Sequence, residues 1–228
     1  MNIVLSVGGS AINPTGTPDL EFIRNFSKII KESNHNFGIL CGGGSIARVY
    51  AKAARDLGAS EYDADNIAIT STRQNAQLLI CGLKGAGIDV HNQILFNLDE
   101  AKTISKKVVV MGGTIPGITT DTDAVLLAEA IGAKKLLNVS NVDGIYDSDP
   151  RKNPSAKKYS KLNYEQLIEL ATKSDQRMAG TNFVFDMLAC KLIARSKIET
   201  HFVPSKDLVM IKNAIEGKTH SGTIVGEF

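Results

Sequence analysis

Residues 108–150 read VVVMGGTIPGITTDTDAVLLAEAIGAKKLLNVSNVDGIYDSDP. Two apolar runs in this stretch, VVVM and LLNV, each pass directly into a polar loop, and a helical segment separates them. This order predicts two parallel strands of one sheet joined by a helix. Both loops then open at the carboxyl ends of strands, where open α/β sheets bind their ligands. The stretch therefore predicts two neighbouring ligand-binding loops.

The rest of the chain continues this alternation of strands and helices. Apolar runs predict strands at 2–7, 37–41 and 198–204, and apolar spacing predicts helices at 19–32, 45–58 and 66–84. Two polar segments, 59–65 and 151–162, are predicted to lie outside the helices, the second as a solvated loop. We also predict short strands within 88–96, a helix within 181–196 that buries Val184, and an edge strand at 223–225. We therefore predict an α/β fold, a three-layer α/β/α sandwich around a mostly parallel sheet, as a single domain over residues 1–228.

Composition excludes several classes of protein. The chain has 228 residues, of which 43% are hydrophobic and 22% are charged, and its net charge is +2. So small an excess of cations gives no reason to expect nucleic acid or a membrane as a partner. No apolar run approaches the length of a membrane span, and the first residues lack the features of a signal peptide. We expect a cytoplasmic protein.

Cysteine and histidine spacing gives no sign of a metal site. Cys41, Cys81 and Cys190 lie far apart and have no CxxC spacing, which predicts reduced, buried thiols. The four histidines form no HxxxH or HExxH pair, so we do not expect a histidine metal site.

Two early strands end in glycines, VGGS at 7–10 and CGGGS at 41–45. Glycine permits positive φ and lets backbone N–H groups approach a ligand closely. A helix follows the second loop, so its first N–H groups and its dipole favour an anion, and Arg48 lies one turn further on. These features predict that the two loops bind phosphate.

A dinucleotide site is the competing interpretation of the second loop, because Gly42, Gly44 and Ala47 fit G-x-G-x-x-A. That motif requires a second strand ending in an acid that holds a ribose. Asp63 and Asp65 follow no apolar strand, so this interpretation is weak. A Walker loop is weaker still, because the GKT at 217–219 lacks the first glycine of that motif.

The loops at 112–123 and 140–150 supply the remaining polar groups. Thr120 in the first loop is also suited to cap the following helix. Tyr146 in the second loop has a ring of the kind that packs against a base. Asp143 and Asp186 are carboxylates that can hold Mg²⁺ or position charge. Two phosphate-binding loops beside a base pocket predict phosphoryl transfer.

These motifs resemble the amino acid kinase superfamily, and within it the archaeal type of UMP kinase, over essentially the whole chain. The markers are GGS at 8–10, GGGSIAR at 42–48, Asp65, Arg73, MGGTIPGITTDTDA at 111–124, NVDGIYDSDPRKNPSAK at 141–157 and FDMLACKLIARS at 185–196. The NVDG-Y-x-x-DP signature is specific to the nucleotide kinases of the superfamily. The resemblance implies the amino acid kinase fold, with an acceptor lobe at about 1–134 and an ATP lobe at about 135–228.

The resemblance also implies an activity and a set of site residues. The expected enzyme phosphorylates UMP to UDP with ATP in pyrimidine nucleotide biosynthesis, requires Mg²⁺ held mainly by the ATP phosphates, and forms a homohexamer assembled from dimers. Carried over by position, the ATP-binding residues are Gly9, Ser10, Gly44, Arg48, Ser140, Tyr146 and Asp149. The UMP-binding residues are Gly43, Asp65 at the ribose, Arg73 at the acceptor phosphate, and Gly113, Thr114, Ile115, Pro116, Gly117, Ile118 and Thr119. We expect Arg48, Asp143 and Asp186 to act in catalysis.

One position departs from the superfamily. Many members carry a lysine where this chain has Ser6, and losing a preorganised cation commonly costs about 3–4 kcal/mol in the barrier. Either Arg48 or Mg²⁺ takes the place of that cation, or turnover is slow. Two alternatives stay open: another small-molecule kinase of the superfamily, and a non-catalytic nucleotide-binding sensor on the same fold. The absence of the lysine, and of a catalytic histidine in the second loop, counts against the first alternative.

Overall fold

The computed structural model describes residues 1–150, 152–175 and 185–228. The strands in these ranges are β1 (Asn2–Val7), β2 (Asn36–Cys41), β3 (Val108–Met111), β4 (Lys135–Ser140), β5 (Ile145–Tyr146), β6 (Lys158–Tyr159), β7 (Lys161–Leu162), β8 (Glu199–Pro204) and β9 (Thr223–Val225). The helices are α1 (Gly9–Ile12), α2 (Leu20–Glu32), α3 (Gly44–Asp56), α4 (Glu61–Gly85), α5 (Leu98–Thr103), α6 (Thr120–Ala130), α7 (Tyr164–Asp175), α8 (Met187–Ser196) and α9 (Leu208–Glu216).

Within those ranges, seven strands form one sheet in the order β3-β2-β1-β4-β8-β9-β7. β1 pairs in parallel with β2 and β4, β2 with β3, and β4 with β8. β9 is antiparallel to β8 and parallel to β7. The predicted mostly parallel sheet is therefore confirmed. The prediction that residues 223–225 form an edge strand is wrong, because the two-residue strand β7 pairs on the outer side of β9.

Both faces of the sheet are covered by helices. In β1, Ile3 and Leu5 belong to one apolar core and Val4 to another, and all three side chains are fully buried. The first core includes residues of α2, α4 and α9, and the second includes residues of α6, α7 and α8. Because neither face of the sheet meets water, most residues of the central strands are buried, without an alternation of buried and exposed positions. This is the predicted three-layer arrangement.

Capping side chains decide where two helices begin. Ser60 and Asp63 exchange side-chain and backbone hydrogen bonds as a capping box, so α4 begins at Glu61. The prediction that 59–65 lies outside the helices is wrong, because this first turn is polar and shows no apolar period. In α6, Thr119 accepts a hydrogen bond from the N–H of Thr122, so the cap lies one residue before the predicted Thr120.

The structure corrects three further predictions and describes only part of a fourth. Residues 88–96 form only the bridges of Val90 with Val108 and of Leu95 with Met111. The predicted solvated loop includes β6 and β7, and its Leu162 is buried. Cys41 and Cys190 are buried as predicted, but Cys81 is exposed on α4. The described part of the helix predicted at 181–196 is α8, and Val184 lies outside the described residues. No helix among the residues described is long and apolar enough to cross a membrane.

Candidate active site

The two glycine loops contact one another at the carboxyl edge of β1 and β2. The N–H of Gly42 donates to the carbonyl of Val7 at 2.9 Å. A Cβ added to Gly9 would lie 1.9 Å from the backbone nitrogen of Gly44, and Gly44 itself has a φ of 68°. No larger residue fits at Gly9, and Gly44 adopts a left-handed conformation that favours glycine. The two predicted phosphate loops therefore form one continuous surface.

Two buried asparagines fix the second glycine loop. Nδ2 of Asn75, on α4, donates to the carbonyl of Gly42 at 2.7 Å. Oδ1 of Asn75 accepts from Nδ2 of Asn13 at 2.7 Å, and both side chains are 5% exposed or less. Because a buried backbone carbonyl requires a partner, this pair holds the loop in one conformation. Arg48 lies one turn into α3 and is exposed.

The loop at 113–119 is held by two of the predicted side chains, both on α4. The carboxylate of Asp65 accepts from the N–H of Gly117 at 2.9 Å. Nε and Nη2 of Arg73 donate to the carbonyls of Gly113 and Thr114 at 3.2 and 3.1 Å. The structure thus brings together the residues that the resemblance assigns to the acceptor. Ile115 is exposed at the rim of this loop, and Pro116 and Ile118 are partly exposed.

An acid that the sequence analysis did not select lies beside this loop. Asp121, in the first turn of α6, accepts hydrogen bonds at Oδ1 from the hydroxyl of Ser6 (2.9 Å) and from Nδ2 of Asn138 (3.0 Å). Burial raises the pKa of Asp121 to about 7, the two hydrogen bonds oppose that effect, and the nearby charge of Asp186 adds to it. In the described part of the chain neither acid pairs with a lysine or arginine.

Asp186, a predicted catalytic residue, is the N-cap of α8. Its carboxylate accepts from the N–H of Ala189 at 2.9 Å. It also accepts from the hydroxyl of Thr122 at 3.0 Å and from the hydroxyl of Thr119, which ends the 113–119 loop. These contacts place Asp186 beside the end of the 113–119 loop and near Asp121, at the same edge of the sheet as the glycine loops.

Asp143 organises the loop that follows β4. Its carboxylate accepts from Nζ of Lys158 at 2.9 Å and from the hydroxyl of Tyr146 at 3.0 Å. Burial alone would raise the pKa of Asp143, but these two partners outweigh it and the pKa lies below its usual value. Asp143 thus contacts the side chains of its own loop. The carbonyl of Ser140 accepts from the N–H of Ser205 at 2.6 Å, and the carbonyl of Asp149 accepts from the N–H groups of 152 and 153.

Most of the predicted residues therefore lie in or next to the segments that follow β1, β2, β3 and β4 at one edge of the sheet, while Asp65 and Arg73 lie on α4 and Asp186 caps α8. The N–H of Gly8 donates to the carbonyl of Val139 at 2.8 Å, which joins the first loop to the last. Gly9, Ser10, Gly43 and Gly44 lie in the first two loops, with Arg48 behind them. Asp65 and Arg73 meet the third loop, and Ser140, Asp143, Tyr146 and Asp149 belong to the fourth.

A cavity of about 670 Å³ lies at the opposite, amino-terminal edge of the sheet, with Asn2, His35 and Lys107 in its lining. Nζ of Lys107 donates to the carbonyls of Lys31 and Ser33, where α2 ends. A cation at that position stabilises the helix terminus. Size alone does not make this cavity the functional site, because none of the predicted site residues lies there.

The acids at the carboxyl edge fit a hard divalent cation only in part. No cluster of three or more His, Cys, Asp or Glu side chains suited to a metal occurs among the residues that the structure describes. However, Oδ1 of Asn138, beside Asp121, is buried and has no hydrogen-bond partner among the residues that the structure describes. Mg²⁺ prefers such carboxylate and amide oxygens, and it commonly takes only one or two carboxylates together with phosphates. The residues therefore fit a metal held mainly by phosphate groups.

Sequence reasoning missed Asp121, Asp123, Asn138 and the partnership of Ser6. Asp121 and Asp123 lie inside the quoted TTDTDA run, but acids are common in the first turn of a helix, so the run does not single them out. No local signal identifies Asn138, which looks like an ordinary residue of a strand. No local signal identifies the contact of Ser6 with Asp121 either, because the two residues are 115 positions apart.

The site itself defines a class of protein. Contacting glycine loops at the edge of a parallel sheet suit two phosphate groups brought close together, and fixed polar groups around them suit charge that moves between those phosphates. These are the requirements of a phosphotransferase.

Known proteins agree with that class. The profile of the amino acid kinase family matches residues 1–204. A uridylate kinase from Archaeoglobus fulgidus is 44% identical over 230 residues, which is 99% of this chain and 100% of the relative, and one from Thermococcus kodakarensis is 42% identical over 99% of both chains. The crystal structure of uridylate kinase from Archaeoglobus fulgidus matches with a TM-score of 0.87 and 41% identity, covering 99% of this chain and 100% of that one. The chain belongs to the amino acid kinase family, and the predicted resemblance is confirmed.

Proposed function

We propose that the protein transfers a phosphoryl group from ATP to UMP and forms ADP and UDP, a step of pyrimidine nucleotide biosynthesis. The observation that carries the proposal is the loop at 113–119, held by Asp65 and Arg73 opposite two contacting glycine loops. The similarity over the whole chain to archaeal uridylate kinases supports the same acceptor.

The donor phosphates lie on the glycine loops in this proposal. Backbone N–H groups around Gly9, Ser10 and Gly44 approach the phosphates without steric hindrance, and the N-terminus of α3 adds its dipole. Arg48, exposed one turn further along, supplies a mobile cation. This placement accounts for the glycines at positions 9 and 44, where an added Cβ would meet the neighbouring loop.

The adenosine end lies on the fourth loop. Tyr146 offers one face of its ring, and its hydroxyl is fixed by Asp143. Ser140 and Asp149 lie at the two ends of the same loop and contribute polar groups to the nucleoside. In this proposal residues of about 135–228 hold the adenosine, and those of about 1–134 hold the acceptor.

The acceptor lies on the third loop. Asp65 is near enough to Gly117 to hold both the loop and a ribose hydroxyl, because a carboxylate accepts several hydrogen bonds. Arg73 has further N–H donors beyond the two it gives to the loop, and these face the acceptor phosphate in our proposal. The backbone of 113–119 reads the uracil in this proposal.

Catalysis rests on positioning and on charge. Asp186 and Asp121 orient the polar groups between the two phosphates, and Arg48 accompanies the transferring group. Asp143 acts indirectly, by holding the side chains of Tyr146 and Lys158. When bound, Mg²⁺ would neutralise charge on the phosphates, and Asp121, Asp186 and Asn138 are the side chains that would hold it, together with ATP.

We also propose a homohexamer assembled from dimers, located in the cytoplasm. Exposed apolar side chains on α3 and α4 support contacts between subunits, since Val49, Tyr50, Leu57 and Tyr62 are all more than 60% exposed. The unpaired state of Cys41, Cys81 and Cys190 supports a reducing compartment.

Initial rates of ADP formation with ATP, Mg²⁺ and a panel of nucleoside monophosphates test the activity. We expect turnover with UMP and much less with CMP, AMP or GMP. Absence of ADP formation with UMP would overturn the proposal. Because Ser6 leaves the site without the usual lysine, calorimetry with ATP and UMP completes the test. Tight binding of both nucleotides without product would instead support a nucleotide-binding sensor.

A further inference from the structure

Asp123 is a buried acid that the proposed function does not use. It lies in the first turn of α6 and is 1% exposed. Its Oδ2 accepts from the backbone N–H of Thr114 at 3.0 Å, and its Oδ1 accepts from the hydroxyl of Thr114 at 2.5 Å. Burial raises the pKa of Asp123, while the bonds from Thr114 and the charge of Arg73 lower it. Burying an acid is costly unless it is hydrogen-bonded, and both hydrogen bonds of this carboxylate go to one loop residue, Thr114.

The other side of the same loop segment is held by α4. The carbonyls of Gly113 and Thr114 both accept from Arg73, and the N–H of Gly113 donates to the hydroxyl of Thr72 at 2.7 Å. With the bond from Thr114 to Asp123, side chains of α4 and α6 engage all four backbone polar groups of residues 113 and 114. Arg73 is in turn covered by the ring of Phe96, whose centroid lies 4.8 Å from the guanidinium carbon.

This arrangement limits which groups of the loop are available to a ligand. An N–H group donates one hydrogen bond, and those of Gly113, Thr114 and Gly117 already donate to Thr72, Asp123 and Asp65. Pro116 has no N–H. Within the described part of the chain, no hydrogen bond uses the N–H groups of the three remaining loop residues, Ile115, Ile118 and Thr119.

We infer that Asp123 is a positioning residue for the acceptor nucleotide, which it never touches and affects through Thr114. Together with Arg73 it clamps the 113–114 backbone so that the N–H groups of residues 115, 118 and 119 are presented to the pyrimidine ring at fixed places. This inference rests on the proposed function. It narrows the pyrimidine-reading part of the 113–119 loop to its second half.

Asp123→Asn tests the clamp with almost no change of shape. The amide keeps an acceptor for the N–H of Thr114, but it loses the charge-assisted bond to the hydroxyl and the countercharge to Arg73. We expect KM for UMP, and Kd for UMP measured by calorimetry without ATP, to rise about tenfold, as for loss of a hydrogen bond to a charged group. KM for ATP should not change, because the glycine loops are held by Asn75 and not by Asp123.

Two further variants keep the test decisive. Thr114→Val removes the hydroxyl from the other side of the bond, and in the double variant its effect should not add to that of Asp123→Asn, since both remove one interaction. Glu129→Gln is the control on the same helix, because Glu129 is an anchor of Arg195 and Ser196 away from the site. It should lower the unfolding temperature without changing KM for UMP.

The outcomes separate the two proposals. If the wild type binds UMP and Asp123→Asn lowers only the unfolding temperature, as Glu129→Gln does, Asp123 is structural and the inference is wrong. Additive effects of Asp123→Asn and Thr114→Val would also contradict it. If the wild type binds UMP without turning it over, the proposed catalysis fails while the Kd values still test the clamp. If the wild type does not bind UMP, both proposals fail together.

Discussion

Mild acid should destabilise this protein through His201, a side chain of β8 that is 3% exposed. Its Nε2 lies 2.8 Å from Oε1 of Glu199, and its Nδ1 lies 2.8 Å from Nε2 of His220. The N–H of Gly222 donates to Nδ1 of His220 at 3.2 Å. Because that nitrogen accepts, we infer that His220 carries its proton on Nε2 and donates to His201, whose own proton lies on Nε2 toward Glu199. Both rings are neutral in this chain of bonds.

The size of the effect follows from the pKa of His201. Burial lowers this pKa to about 4, with Lys135 and His220 adding to the effect and Glu199 opposing it. The unfolded value is about 6.5. Between these values the unfolded state binds more protons than the folded state, so the free energy of unfolding falls as the pH falls. At about pH 5 the loss from this one group is about 2 kcal/mol, a large share of the stability of an ordinary domain.

Urea denaturation at about pH 7.5 and about pH 5 measures the effect. His201→Gln keeps an N–H for Glu199 but does not titrate, so this variant should lose about 2 kcal/mol less than the wild type between the two pH values. His91→Gln is the control, because His91 lies outside this chain of bonds. Equal losses in the wild type and in His201→Gln would refute the reasoning, since the pH dependence would then come from other groups.

Three other predictions concern the site. Arg48→Ala should lower kcat/KM at least about tenfold with an unchanged urea midpoint, because Arg48 is exposed and in the proposed function stabilises the charge of the transferring group; equal losses of activity and stability would mark it as structural. Gly9→Ala should destabilise by more than about 2 kcal/mol in urea, because its Cβ would meet Gly44, whereas Gly85→Ala has open space and should be neutral or stabilising. Asp121→Asn should lower kcat at least about tenfold. It should also raise the unfolding temperature, because it removes the cost of ionising a desolvated acid; a lower unfolding temperature would argue against this explanation.

The parts of the fold that could be predicted are those with a long apolar signal. β1 and β2 are strands of six residues, five of them buried in each and most of those apolar, and α2 has an apolar face over thirteen residues. β7 has only two residues and forms because it pairs with the free edge of β9, so no local sequence pattern predicts it. The start of α4 depends on one pair of capping bonds between Ser60 and Asp63, which compensates for a first turn without apolar residues.

The candidate site divides in the same way. Glycine loops are visible in sequence because close backbone contact, as at Gly9, or a left-handed conformation, as at Gly44, excludes most other residues. Contacts that depend on strand order are not visible. Ser6 and Asp121 are 115 residues apart and meet because α6 packs against the end of β1. His201 and His220 meet because β9 returns antiparallel to β8, which no histidine spacing indicates.

The departure at position 6 is best understood through Asp121. A lysine there would pair with this acid and lower its pKa, whereas the hydroxyl of Ser6 and the amide of Asn138 give Asp121 two hydrogen bonds and no positive charge. The pKa therefore stays raised, and Asp186 nearby increases the local negative potential. Two phosphates cannot approach such a place without a cation, because like charges at short range in a desolvated site repel strongly. In the proposed reaction the positive charge must then arrive with the nucleotides or from Arg48, which would make the step dependent on the metal and on an exposed side chain.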